Sequence, residues 1–309
     1  MARQNKSHHK VPQTYLQAFT FDGKRVWVCD DKFRLFSEKP KNILAEDDYY
    51  TVRFPDGGGT LQIETKFLGG TEAKYAEIYR EKISQRKPLT SLEKAEMAVF
   101  VASMLERSPR RRDALQDFFD RVGHITEKMR TMVAGMTPEE KKAFTAAQQP
   151  ASEDSIPADE FLKAGEDVGS LHSANIPQIV KDTAPIIFGM KWAFMVRPQS
   201  SQPFITSDSP CALENPSLPA RSIYGPGLQQ KDVELSLPLS PDLALLCGWR
   251  MDRDWDYLPV DPENVDEINR RTRRRSRTLV SNDKSMLERQ IARVKAVLKD
   301  QEESSVSSM

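Results

Sequence analysis

Histidine is scarce in this chain: there are four in 309 residues, and two of them, His8 and His9, stand side by side. Cysteine is scarcer still. Cys29, Cys211 and Cys247 are odd in number, far apart and without CxxC spacing, which suits buried reduced thiols and argues against a disulfide framework or a cysteine zinc cage. No stretch reaches the roughly 18 unbroken apolar residues that a membrane span needs, so no membrane partner is expected. The opening MARQNKSHHK lacks the apolar core of a secretory signal, and a cytoplasmic protein is expected. Neither charge is in excess, with 45 basic residues against 45 acidic ones, so overall charge names no polyanionic partner. Signatures are missing too. The absence of GxxxxGK[ST], GxGxxG after a strand, HExxH and GxSxG argues against a P-loop NTPase, a Rossmann dehydrogenase, a zincin and an α/β-hydrolase. No arginine stands four to six residues before His124 or His172, as it does in helical ribonucleases of the HEPN type. His124 reads as a helix-surface residue and His172 as a loop residue.

What is present is enough apolar residue, 39%, to build a core under a polar surface. Pro12 suits the first turn of a short helix with Tyr15, Leu16 and Phe19 on its apolar face. FDGKRVWVCDDKFRLFS reads as a hairpin, and PDGGG as a loop. From Thr60 the pattern is helical. Thr90 and Glu93 make a capping box, Pro109 opens the next helix, and Thr137-Pro138 starts another. Residues 146–160 are polar and carry two prolines, which marks a loop. NIPQIVKDTAPIIFGM reads as a helix. KWAFMV, PFITSD, VELSLPLS and LALLCGW read as short strands, and two helices follow. The expected fold is α+β: mainly helical, with an N-terminal β-hairpin and a small antiparallel sheet in the C-terminal half. One globular domain is expected over residues 1–280, then a helix over 281–302 and a disordered tail over 303–309.

Few residues offer chemistry. His8 and His9 are candidate general bases or metal ligands, although neighbouring side chains point different ways and at most one faces a given site. In FITSDSP an apolar strand end delivers Ser207 and Asp208 into a turn fixed by Pro210, where Asp208 either serves a site or caps its own backbone. Glu64 and Glu72 lie eight residues apart and share a face only along an unbroken helix, which Gly69-Gly70 argues against. Arg107 ends an apolar helix and is suited to grip a carboxylate or phosphate bidentately. Two runs concentrate arginine: four in six residues over 107–112, and six in eight over 270–277. Arg110, Arg111, Arg273 and Arg274 are the candidate phosphate contacts, against the plainer reading of a solvated face offset by Asp261, Glu263, Asp266 and Glu267. Pro55-Asp56 followed by Glu64-x-Lys66 has the order of a PD-(D/E)xK nuclease motif, but the helical pattern after Thr60 is the wrong context.

HHKVPQTYLQAF, the helix bearing Glu72, FVASMLERSPRRR, KWAFMV with FITSDSP, LPLSP and the Asn269 helix occur here in a familiar order. Together they resemble the domain of unknown function 4238 family from about His8 to Leu279. The resemblance places His8, His9, Pro12, Gln13, Tyr15, Leu16, Glu72, Arg107, Pro109, Ser207, Asp208 and Pro210 at signature positions. It implies no established reaction, and it suggests a bacterial or phage accessory protein with a defence or toxin-like setting. Two readings follow. In the first, His8, His9, Glu72 and Asp208 catalyse hydrolysis of nucleic acid or a nucleotide phosphodiester. Gln13, Arg107 and Ser207 hold the substrate, and a divalent metal is an open expectation. In the second, the same residues form a buried structural network in a module that binds nucleic acid or protein without chemistry.

Overall fold

The structure, a computed structural model, describes residues 7–53, 59–60, 62–147, 156–218, 225–251 and 256–306. The N-terminal arm begins as an extended strand, Ser7–His9, paired antiparallel with Ala45–Asp47. Pro12 then starts helix α1 (Gln13–Leu16), and Tyr15, Leu16 and Phe19 sink completely into the core. The Tyr15 hydroxyl anchors this turn to the far half of the chain by donating to the Pro238 carbonyl at 2.5 Å, and it also bonds the Thr206 hydroxyl at 2.7 Å.

The expected hairpin is present: Val26–Cys29 pairs antiparallel with Leu35–Glu38. Its turn is held by the Asp30 carboxylate, which accepts from the backbone N–H of Lys32 and of Arg34. This hairpin does not stand alone. Leu279–Ser281 adds to it, and Thr206–Ser207 adds to that, giving a four-stranded antiparallel sheet from three distant parts of the chain. A second sheet has the order 256–259, 191–196, 243–248, 234–240, 212–214. It is antiparallel except at one edge, where Asp256–Pro259 runs parallel to Lys191–Val196.

Helices cover these sheets. α2 (Gly69–Ile78) is flanked by widened π turns at Ile63–Leu68 and Tyr79–Ile83. Here the sequence expectation fails: the helix runs unbroken through Gly69-Gly70, because Gly69 keeps helical dihedrals of φ −60 and ψ −39. α3 (Ser91–Glu106) begins at the expected capping box, with both the Thr90 and the Glu93 side chains bonding the other's backbone N–H. Met97, Phe100 and Val101 fix it in the main core. Ser108 breaks the helix, and α4 (Pro109–Ala134) starts at Pro109. α5 (Pro138–Ala147) and α6 (Ala158–Ala164) follow, the second beside α4 through stacked Phe119 and Phe161 rings 5.0 Å apart.

α7 (Val168–Gly189) carries Pro177 and Pro185 inside it and packs along α3. It also corrects the reading of His172, which is a buried helical residue rather than a loop residue. His124 is exposed on α4, as expected. α8 (Pro262–Arg274) and α9 (Lys284–Val306) complete the chain. α9 extends through residues expected as tail, and its Met286 and Leu287 are buried against Cys29, Ile205 and Leu279. Most of the 146–160 loop, and Pro55-Asp56 of the nuclease-like motif, lie outside the described residues. Glu64 and Lys66 are helical and not at a sheet edge, so the structural context of that motif is not met.

Among the described residues no helix is long and apolar enough to cross a membrane. The α+β architecture, mainly helical with an N-terminal hairpin and a C-terminal antiparallel sheet, is the one the hydrophobic periodicities predict.

Candidate active site

Arg107 is the side chain around which the site forms. It caps the C-terminus of α3, is 1% exposed, and directs three groups of donors inward. Nε donates to the Tyr50 hydroxyl at 3.0 Å, one terminal nitrogen donates to Glu72 at 2.7 Å, and the other donates to the His9 backbone carbonyl. The guanidinium also lies 5.3 Å from the centroid of the Tyr50 ring. Burial opposes the charge, but Tyr50 and Glu72 hold it, and the group stays above its ordinary range. Arg107 therefore grips the protein's own groups. The expected open fork for a substrate anion is not available in this arrangement.

Tyr50 joins the arginine to the histidine pair. Its backbone N–H donates to His8 Nδ1 at 2.9 Å, and the two rings are nearly parallel with centroids 6.0 Å apart. This bond fixes the His8 tautomer: Nδ1 accepts, so the ring proton sits on Nε2. Nε2 is buried and has no partner among the described residues. Burial holds the imidazole below its ordinary value, against the pull of Asp48 and Asp47. His8 is thus a neutral donor whose basic nitrogen is already occupied, which removes the expected general-base role from it. His9 points elsewhere. Its Nε2 meets the Lys41 carbonyl at 3.0 Å and its Nδ1 meets Gln13 Nε2 at 3.4 Å.

The acids come from the helix over residues 63–83. Eight residues at 3.6 per turn overshoot two turns by about 80°, so a regular helix would splay Glu64 and Glu72 apart. Glu64 sits in the π turn, whose wider winding alters that angle, and both carboxylates act electrostatically on Tyr50. Burial pushes Glu64 up to about 7, with Arg107 opposing and Glu72 adding to the rise. Its Oε2 is buried without a partner among the described residues. Glu72 is the partly open member, with a side chain 24% exposed.

Asp208 makes its hydrogen bonds with a different segment, although Lys10, next to His9, acts on it electrostatically. Its backbone N–H donates to the Thr278 carbonyl and its Oδ1 accepts from the Arg277 N–H at 3.2 Å, so it fastens the turn to the start of the Leu279–Ser281 strand. Burial raises its pKa. Ser207 Oγ accepts from the Ser209 N–H at 3.1 Å within the same turn. Among the described residues no hydrogen bond or ion pair joins Asp208 to either histidine. The structure thus gathers His8, the His9 carbonyl, Glu72 and Arg107, and it leaves Asp208 and Ser207 to a second, structural-looking network. Tyr50 went unnoticed in the sequence because DDYY carries no spacing signal. Glu64 was visible as a candidate, but its environment was not.

The arginine runs divide in a similar way. Arg270 and Arg271 pair with Glu267, which they hold down at about 2, and Arg271 also reaches Glu234. Arg273 donates to Gln290 at 2.6 Å, while Arg274 is exposed. Much of the second run is therefore a helix face offset by acids, as the plainer reading held. Arg111 pairs with Glu106, and Arg110 is exposed. Among the described residues no three His, Cys, Asp or Glu side chains gather as a metal site.

The signature residues thus have places in one fold, and a family model agrees with them over residues 7–285. The chain belongs to the DUF4238 family. That family is described only as proteins of unknown function (DUF4238). No curated protein and no solved structure matches the chain. In this DUF4238 chain several signature positions serve the fold directly: Tyr15 and Leu16 fill the core, Pro12 and Pro109 start helices, and Asp208 ties down a strand.

Proposed function

We propose that this protein is a hydrolase of phosphodiester bonds in nucleic acid or nucleotides, acting by proton transfer at the cluster around Tyr50. One observation carries the reading. Glu64 is a partly buried carboxyl poised near neutral pH, with one oxygen unbonded among the described residues, beside the Glu72–Arg107 ion pair. Carboxyls tuned this way serve as general acids or bases, because transfer is most effective when the pKa lies near the working pH. Glu64 takes the proton of the water as its oxygen bonds to phosphorus, and gives that proton to the leaving oxygen as the other P–O bond breaks. The His8 Nε2–H, fixed by the Tyr50 amide, donates to charge that develops on the phosphoryl oxygens. Arg107 and Glu72 position Tyr50 and the arm.

The test is cleavage of single- and double-stranded DNA, RNA and dinucleotides, with Mg²⁺, with Mn²⁺ and with chelator. Wild type is expected to cut at least one substrate. Glu64→Gln is expected to lose about 100-fold or more of that rate, the usual share of a general base, with no fall in its melting temperature. No cleavage by wild type on any substrate, or undiminished cleavage by the variant, sinks the reading.

A second reading rests on the 1% exposure of both His8 and Arg107. A network so enclosed locks the N-terminal arm to α3, and the protein is then a non-catalytic module for nucleic acid or protein. Binding without cleavage is its expected outcome.

A further inference from the structure

The two arginine runs, 160 residues apart in sequence, meet. A cavity of about 200 Å³ opens between the start of α4, the Ser209–Leu213 segment and the end of α8, with Arg110, Arg111 and Arg275 in its wall. Arg107 and Ser108 are consecutive, so this cavity adjoins the Arg107 cluster across the α3–α4 break.

Its charge is not balanced. Arg111 is neutralised by Glu106 at 3.3 Å, and Arg275 by Glu214 at 3.2 Å. Arg110 has no ion pair or hydrogen bond among the described residues, yet it acts repulsively on Arg275. Arg110 and Arg111 belong to the first turn of a 26-residue helix that has no acid in that turn, and Arg275 shares the cavity wall with them. Arginines there oppose the helix dipole, which favours negative charge at that end. Sequences normally place acids at this position, so the arrangement costs stability unless an anion joins it. A second, independent feature points to the same ligand. Ser209 is 3% exposed and lines the cavity, and its hydroxyl has no hydrogen-bond partner among the described residues. A hydroxyl in the cavity wall with no acceptor of its own is available to donate to a ligand there.

We propose that this cavity is a phosphate-binding site, in which Arg110, the α4 N-terminus and the Ser209 hydroxyl hold one phosphoryl group. The volume is below the range of about 300–1,000 Å³ typical of pockets that swallow a whole organic ligand, and it suits a single phosphoryl group with the rest of the ligand outside. The proposal deepens the hydrolase reading, since Arg107 is occupied and a phosphodiester substrate needs another cationic hold. It is tested by binding alone, so failure of cleavage leaves it standing and its own failure leaves the Glu64 chemistry standing.

The probe is inorganic phosphate, titrated calorimetrically into the full chain at constant ionic strength, with chloride as control. Oligonucleotides with a 5′-phosphate or a 5′-hydroxyl form the second arm. Saturable phosphate binding is expected, weakened roughly tenfold or more in Arg110→Gln, the loss of one charge-assisted hydrogen bond. Ser209→Ala is expected to weaken it less. Arg110 is exposed and unpaired, so its variant remains folded. Preference for the 5′-phosphate assigns the site to chain ends, and equal binding of both oligonucleotides assigns it to internal phosphodiesters. Absence of saturable phosphate binding, or undiminished affinity in Arg110→Gln, overturns the proposal.

Discussion

At the scale of the residue, this protein turns on how individual polar groups are satisfied. Arg107 is a buried cation that survives because each face of its fork meets an acceptor, from Tyr50, Glu72 and the His9 backbone. Glu64 is the opposite case, an acid whose buried Oε2 has no hydrogen-bond partner among the described residues. Its folded pKa of about 7 lies above the ordinary 4.5, so between those values the folded state binds more protons than the unfolded state. Its contribution is therefore most favourable at low pH and is lost as pH rises through 7. Glu64→Gln removes this dependence. The variant is expected to be more stable than wild type at pH 8, by on the order of 1–3 kcal/mol, and close to it near pH 4.5. Urea unfolding of both proteins across that range measures the difference. A constant gap would show that Glu64 is not held protonated by the fold. The roles of His8 and His9 were readable only this far: the pair announced itself by rarity, but which ring faces inward depends on the strand that Ser7–His9 forms with residues 45–47.

At the scale of the element, local signals were reliable where a cap or a proline made them. Thr90, Pro109, Thr137 and Pro12 all begin helices as their chemistry dictates. The two capping boxes nevertheless differ in consequence. α3 buries ten residues after Thr90, whereas α5 buries none after Thr137. Thr90→Ala is expected to cost about 1 kcal/mol of global stability, and Thr137→Ala to leave the global midpoint nearly unchanged because α5 can fray alone. Chemical denaturation followed by circular dichroism separates them, and equal losses would contradict this account. Gly69-Gly70 was misjudged for a related reason. Glycine weakens a helix by less than about 1 kcal/mol per residue, and the tertiary burial of Leu68, Tyr75 and Ile78 on either side outweighs that.

At the scale of the whole molecule, the ends of the chain are held together. Leu279–Ser281 lies between Val26–Cys29 and Thr206–Ser207, and Asp208 anchors the residues just before it. Truncation after Thr278 is expected to abolish cooperative unfolding, since it removes a central strand and the buried Met286 and Leu287. Near-ultraviolet circular dichroism and a thermal scan of the truncated chain check this, and a sharp transition at the wild-type temperature would refute it. The sequence by itself determined what local physics determines: helix starts, the hairpin, the α+β class, and the short roster of residues able to do chemistry. Tertiary structure alone decided which of them meet. Pairing of Thr206–Ser207 with Leu279–Val280 sent Asp208 to the Arg277 backbone and gave it no bond to the histidines, and a π turn brought Glu64 toward Arg107. Burial then set the charge states. Such outcomes depend on distances between groups far apart in the chain, and a one-dimensional pattern does not encode them.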